Sequence, residues 1–308
     1  MVLLPTLQPA NNPVQIRYRE NFKVGSRTMK LSVSFSGGST SGYMAYLLKR
    51  DWEAGELTEY DSIEFVFANT GAEHPKTYEF VERCNQEWGL DLVYLEAVID
   101  PRPRKGTTYK VVTHDTLCRD GRLFYEMAAK YGVPNNTFGP CTRELKTVPM
   151  DKYRGKDAMT AIGIRCDELD RISSRYRENN WTYPLIFKYG VRKVDVYAWW
   201  DKQPFNLGIN QLLGNCTFCF HKSFHKLGDV YKENPANFDI ALNLDKHYSL
   251  AGARKLGQEN TPRQMYRGYR TTQDVIDMVT GDSELSKRDG NCSGSCEPHG
   301  EQMELSYD

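Results

Sequence analysis

The stretch "LSVSFSGGSTSGYM", residues 31–44, decides the fold. Its first part, Leu31 to Ser36, reads as a short buried strand. The continuation "TSGYMAYLLKR" carries apolar residues at helical spacing. Between the two stand Gly37 and Gly38, flanked by Ser36, Ser39, Thr40 and Ser41. Two glycines let backbone N–H groups approach an anion closely, and the start of a helix adds its positive dipole end. The hydroxyls supply further donors, so the turn suits a phosphate. The plain alternative is a strand-to-helix turn capped by Ser or Thr. Neither a Walker A ending nor G-x-G-x-x-G is present.

Working outward, "SIEFVFA" (62–68), "DLVYLEAV" (91–98) and "AMTAIGI" (158–164) read as further strands. Helical patterns separate them. In "KTYEFVERCNQEWG", Tyr78, Val81, Cys84 and Trp88 share one face and Gly89 can stop the helix. "RLFYEMAAKYG" likewise ends on a glycine. Strands alternating with helices predict an α/β fold with a doubly wound, mostly parallel sheet and flanking helices. From about residue 190 the pattern turns to helices and loops. The expected division is a loosely ordered leader (1–28), a nucleotide-binding α/β domain (29–235), a helical extension (236–280) and a Cys-containing tail (281–308).

The chain has 308 residues, with Lys+Arg and Asp+Glu both 40, so the formal net charge is zero. That balance gives no whole-protein attraction to nucleic acid or membrane. No apolar run reaches the roughly 20 residues of a membrane span. The start, "MVLLPTLQPANNPVQ", lacks the basic region of a signal peptide. The expected location is the cytoplasm. There, eight cysteines point to metal binding or catalysis rather than disulfides. Cys84 reads as a small buried hydrophobe, and Cys118 stays open.

In an open α/β sheet, ligands bind beyond the C-terminal strand ends. Arg165 follows a strand there and is a candidate phosphate contact, with a surface ion pair as the alternative. Arg143 and Lys146 lie about one helical turn apart beside Cys141 and are expected to face one site. A solvated helix face is the other reading for Arg143. Asp167 and Glu168 read as partners of nearby arginines. His74 reads as a ligand contact or as a cap before Pro75, and Trp199 and Trp200 as core. Cys216 and Cys219 form a Cys-x-x-Cys, "CTFC". In the tail, Cys296 and His299 stand at Cys-x-x-His spacing, with Cys292 nearby.

Several segments in order carry a resemblance to a known family. "SGGSTS" resembles the pyrophosphate loop of the PP-loop, or adenine nucleotide α-hydrolase, superfamily. "NTGAEHPKTYEFV" (69–81), "CTRELKTVPM" (141–150), "GIRCDELDRIS" (163–173) and the succession from "YPLI" to "GNCTFC" are similar to segments of the phosphoadenosine phosphosulfate (PAPS) reductase family. The resemblance implies nucleotide-dependent sulfur chemistry on ATP, PAPS or adenylylsulfate. The phosphate loop (Ser36 to Ser41) would bind the nucleotide with Asn69, Thr70, Gly71, Arg143, Gly163, Arg165 and Arg171. Mg²⁺ would accompany the phosphates.

The resemblance also assigns Cys141, Cys216 and Cys219 to a 4Fe–4S cluster, with zinc as the alternative. Many ATP-using relatives carry Lys where Ser39 stands and Asp where Thr40 stands. Arg165, Lys146, Arg143 and Arg171 are the candidates to replace that lost charge. Two enzyme readings follow. One is ATP-dependent adenylation with pyrophosphate release, coupled to cluster-assisted sulfur transfer, with Arg165 and Lys146 at the reacting phosphates. The other is a sulfonucleotide reductase with Cys296 as nucleophile and a thioredoxin-like donor. A non-catalytic nucleotide-binding regulatory module is a third reading. A sulfur-donor protein is an implied partner. Nucleic acid as sulfur acceptor is compatible with the resemblance but not indicated by the net charge.

Overall fold

The computed structural model describes residues 29–209, 214–253, 257 and 260–281. The tail cysteines Cys292 and Cys296, and His299, lie outside the described residues, as does the leader.

Four apolar runs become the centre of one sheet. They are β1 (Lys30–Ser34), β2 (Ser62–Asn69), β3 (Val93–Val98) and β5 (Ala158–Ala161). Two strands without such a run complete it: β4 (Thr108–Val112) and β6 (Trp181–Thr182). The order is β4-β3-β2-β1-β5-β6. Every pairing is parallel except β3 with β4. Central parallel strands are covered on both faces and so read as near-continuous apolar runs. The sheet is therefore the doubly wound α/β arrangement expected.

Helices cross between the strands. α1 (Ser39–Glu53) and α2 (Pro75–Trp88) follow β1 and β2. Pro75 occupies the first turn of α2, where its missing N–H costs nothing, and Gly89 ends the helix at φ 55, a left-handed position. After α3 (Arg122–Tyr131), α4 (Pro140–Thr142) runs through a π turn (Arg143–Thr147) into α5 (Val148–Arg154). α6 (Pro184–Phe187), α7 (Lys193–Trp200), α8 (Phe224–Glu233), α9 (Asp239–Tyr248) and α10 (Thr272–Thr280) complete the described residues.

Two large apolar clusters hold these elements. The first joins Leu31, Val33, Phe35, Phe65 and Phe67 of the sheet side to Met44, Phe80 and Trp200 from the helices. Trp200 is 4% exposed and Trp199 packs against the same cluster. The second joins Leu123, Phe124 and Met127 of α3 to Phe218, Leu227, Val230, Leu244 and Val275. It runs across residue 235, so α8, α9 and α10 share one core with α3 and the cysteine loop. No described helix is long and apolar enough to cross a membrane.

Candidate functional site

The glycine turn is braced from three sides. Phe35 N–H donates to Val66 O at 2.9 Å, carrying the β1–β2 pairing past the end of β1. Gly37 then takes φ +82, and a Cβ there would sit 2.7 Å from Thr77 Cγ2 of α2. Gly38, at the N-cap of α1, has only Ser36 Oγ near its open side, at 3.7 Å. Ser41 Oγ accepts from Ser36 N at 3.1 Å, shares a hydrogen bond with Ser36 Oγ at 2.9 Å and donates to Gly38 O at 3.0 Å. Ser36 and Ser41 thus shape the loop, while Gly38 marks its open approach. Behind the loop, Gly163 lets the chain after β5 pass close to Ser41, whose Cα would be 3.3 Å from an added Cβ. Trp200 Nε1 of α7 donates to Ser39 O at 2.8 Å.

Arg165 leaves the end of β5 and reaches this turn. Its Nη1 donates to Thr40 Oγ1 at 2.7 Å. Asp167 and Glu168 hold the same guanidinium at 3.1 and 3.3 Å, and Arg171 pairs with Glu168 at 2.6 Å. Burial alone would raise the Asp167 carboxyl; the hydrogen bond and charge of Arg165 hold it below the usual range. A fixed cation therefore stands at the first turn of α1, in the loop where Ser39 supplies none.

Asn69, Thr70 and Gly71 sit at the C-terminal end of β2, and the first two turn inward. Asn69 Nδ2 donates to Glu96 Oε1 and to Cys118 O, both at 2.8 Å, while its Oδ1 accepts from Gly71 N and Tyr78 OH. Its amide is occupied by the fold. Thr70 Oγ1 donates to Glu73 Oε1 at 2.6 Å and lies 3.4 Å from Cys216 Sγ. Glu73 also accepts from Tyr78 OH at 3.1 Å and pairs in backbone register with Cys216. This inward network falls within the segment 69–81 that resembles the family, whose Thr and Glu here bond to each other.

Cys141, Cys216 and Cys219 line one small cavity with Lys146 and Thr70, although Cys141 is far from the other two in sequence. None is in a disulfide. The cavity is about 20 Å³, room for about one water. Burial pushes the Cys141 thiol up to about 12; the other two sulfurs add to this and Lys146 opposes it. Burial also takes Cys216 to about 12, with Glu73 adding to it and Lys146 opposing. Lys146 is 8% exposed in the π turn. Arg143, three residues earlier, instead points outward, its side chain 70% exposed and paired with Glu144. The wider π turn separates two residues that an ordinary helix would place on one face. Among the described residues, no group of three or more His, Cys, Asp or Glu side chains is arranged to hold a single metal ion. His74 caps α2, its Nδ1 accepting from Lys76 N at 3.2 Å, and its Nε2 lies 3.5 Å from Glu233.

Comparison with known proteins fits this geometry. The model of the phosphoadenosine phosphosulfate reductase domain matches residues 30–183. The chain belongs to the phosphoadenosine phosphosulfate reductase family. It is 33% identical to the uncharacterized nin region protein ORF290 of Escherichia phage lambda, over 89% of this chain and 97% of that protein. It is 22% identical to the uncharacterized protein MJ0066 of Methanocaldococcus jannaschii, over 70% of this chain but only 42% of that one. No solved structure matches. The family region contains the glycine turn, Cys141, Lys146 and Arg165. Cys216 and Cys219 come from the stretch beyond it, and meet Cys141 through the second apolar cluster.

Proposed function

We propose that the chain is a PP-loop enzyme that binds ATP at residues 36–41 and couples adenylation of an acceptor to sulfur transfer. One observation carries the reading. The phosphate turn with its fixed Arg165 follows β1, and Thr70, at the end of the adjacent parallel β2, lines the cavity of Cys141, Cys216 and Cys219. The open N–H groups at Gly38 and the α1 dipole would take the β- and γ-phosphates, with Mg²⁺ on them. Arg165 would balance charge as pyrophosphate departs. An acceptor oxygen attacks the α-phosphorus and pyrophosphate leaves; a sulfide-level sulfur from a sulfur donor then attacks the acceptor carbon, and AMP leaves with the oxygen.

Cys141, Cys216 and Cys219 would hold a 4Fe–4S cluster, which when bound supplies sulfur-handling chemistry beside the activated acceptor. The donor set fits by chemistry: two buried thiols, a third half-buried, and no disulfide. Present room is that of a water, so the lining must open to admit a cluster. Zinc is the alternative on the same thiols and would need its donors within about 2.3 Å of one point; among the described residues a site is preformed for neither.

Two measurements on the full chain decide the matter. Pyrophosphate release from ATP, with iron and sulfide in protein purified without oxygen, supports the reading. Sulfite release from PAPS or adenylylsulfate, with no turnover of ATP, replaces it by the reductase that uses Cys296. Nucleotide binding with neither product leaves a regulatory module.

A further inference from the structure

Beyond the family region, residues 266–270 close a tight turn. Tyr266 N–H donates to Arg270 O at 3.2 Å and Arg270 N–H to Tyr266 O at 3.3 Å, leaving Arg267, Gly268 and Tyr269 as the loop. Gly268 (φ +71) and Tyr269 (φ 55) are both left-handed. Glycine fills such a position without a Cβ penalty. Here the second position carries an aromatic ring, and Tyr269 is 89% exposed. Among the described residues nothing covers that ring.

Arg267 and Arg270 stand on either side of Tyr269 in the turn, and the guanidinium groups of both are held in place. Arg267 and Arg270 lie over the Phe224 ring at 5.0 and 5.2 Å. Arg267 Nη2 donates to Lys222 O at 2.5 Å and Arg270 Nη1 to Arg267 O at 3.0 Å. Among the described residues neither lies within ion-pair distance of a carboxylate, although Asp274 feels the charge of Arg270; each guanidinium carries five donors. The turn is also fastened to the cysteine loop. Tyr266 OH donates to Phe218 O at 3.0 Å, and Lys222 Nζ donates to Cys216 O at 2.8 Å.

We infer that this turn is a docking site for a single-stranded nucleic acid. A base stacks on the Tyr269 ring and the adjoining phosphates meet Arg267 and Arg270. An exposed ring offers any unpaired base a face, and arginines held beside it in the turn attract the backbone phosphates. With zero net charge on the chain, the attraction is local to this patch. The inference needs neither ATP nor the thiols and stands apart from the reaction proposed above.

Fluorescence anisotropy tests it on the full chain, with labelled single-stranded RNA and DNA of about 12 nucleotides, within the span one such site covers. Tyr269→Gly removes the ring and suits the left-handed turn, so the variant folds. It should bind about tenfold more weakly, the effect of losing one stacked base, while Tyr269→Phe stays near wild type. Arg270→Ala should reduce the log–log salt slope by about 0.7, one phosphate contact on a single strand. ATP affinity, measured on the same preparations, should not change. Three results would overturn the site: no binding of either strand at low salt, wild-type affinity in Tyr269→Gly, or displacement by polyglutamate as effective as by an oligonucleotide of equal charge.

Discussion

Replacing Gly37 by alanine separates what holds the phosphate turn from what the turn holds. At φ +82, an L-residue pays about 1–2 kcal/mol for its Cβ. That Cβ would also lie 2.7 Å from Thr77 Cγ2 and 3.2 Å from both Phe67 and Val81. Three well-packed neighbours must move, at a cost of about 1–3 kcal/mol. The sum is about 3 kcal/mol, a large share of an ordinary domain's stability. Gly38 is the control: φ is −91 and the nearest atom is 3.7 Å away, so Gly38→Ala should change stability by under about 0.5 kcal/mol. Urea unfolding followed by tryptophan fluorescence reads both, because Trp88, Trp199 and Trp200 pack on the same cluster as the turn. The cause can be split further. Thr77→Ser removes the offending methyl and should return about 1–2 kcal/mol to Gly37→Ala, leaving the backbone part. If Gly37→Ala unfolds at the wild-type urea concentration, or if Thr77→Ser restores nothing, the account of this turn is wrong.

Two further outcomes follow from charged groups. Arg165→Gln removes the cation at Thr40 and should weaken ATP binding about tenfold to a hundredfold in calorimetry, the range for hydrogen bonds to a charged group; unchanged affinity would take Arg165 out of the site. Asp51 is buried, which alone would raise it, but hydrogen bonds from Lys188, Arg50 and Tyr189 bring its carboxyl below the pH at which an ordinary aspartate titrates. Its contribution is therefore complete above that pH and fades as pH falls through the lower folded value. Asp51→Asn should lose about 1–3 kcal/mol near neutrality and converge on the wild type in acid; a constant gap across the pH range would contradict the linkage.

Much of the sheet was legible because β1, β2, β3 and β5 are apolar enough to be read without partners. β4 was not, since "TYKVV" is an edge strand with only partial burial, and its pairing depends on β3 being present first. β6 has two residues and no periodicity to read. The glycine turn announced itself by composition, while its bracing did not: the Trp200–Ser39 bond spans 161 residues. Cys216 and Cys219 were visible as a spacing, but their meeting with Cys141 rested on resemblance alone. Arg143 and Lys146 looked equivalent because a π turn leaves no mark in a sequence read at the ordinary helical period.

The chain's five tryptophans also bear on how damage would be seen. None belongs to the second apolar cluster, which instead contains Cys216 and Cys219 and draws in Cys141. Separately packed clusters open with separate free energies. Oxidation of a buried thiol would loosen the helices around α3 and α8 first, and intrinsic fluorescence would remain that of intact protein. A sample judged folded by that signal can have lost its thiol half. Hydrogen exchange at Leu227 or Leu244, rather than a fluorescence trace, is the gauge of whether a preparation is whole.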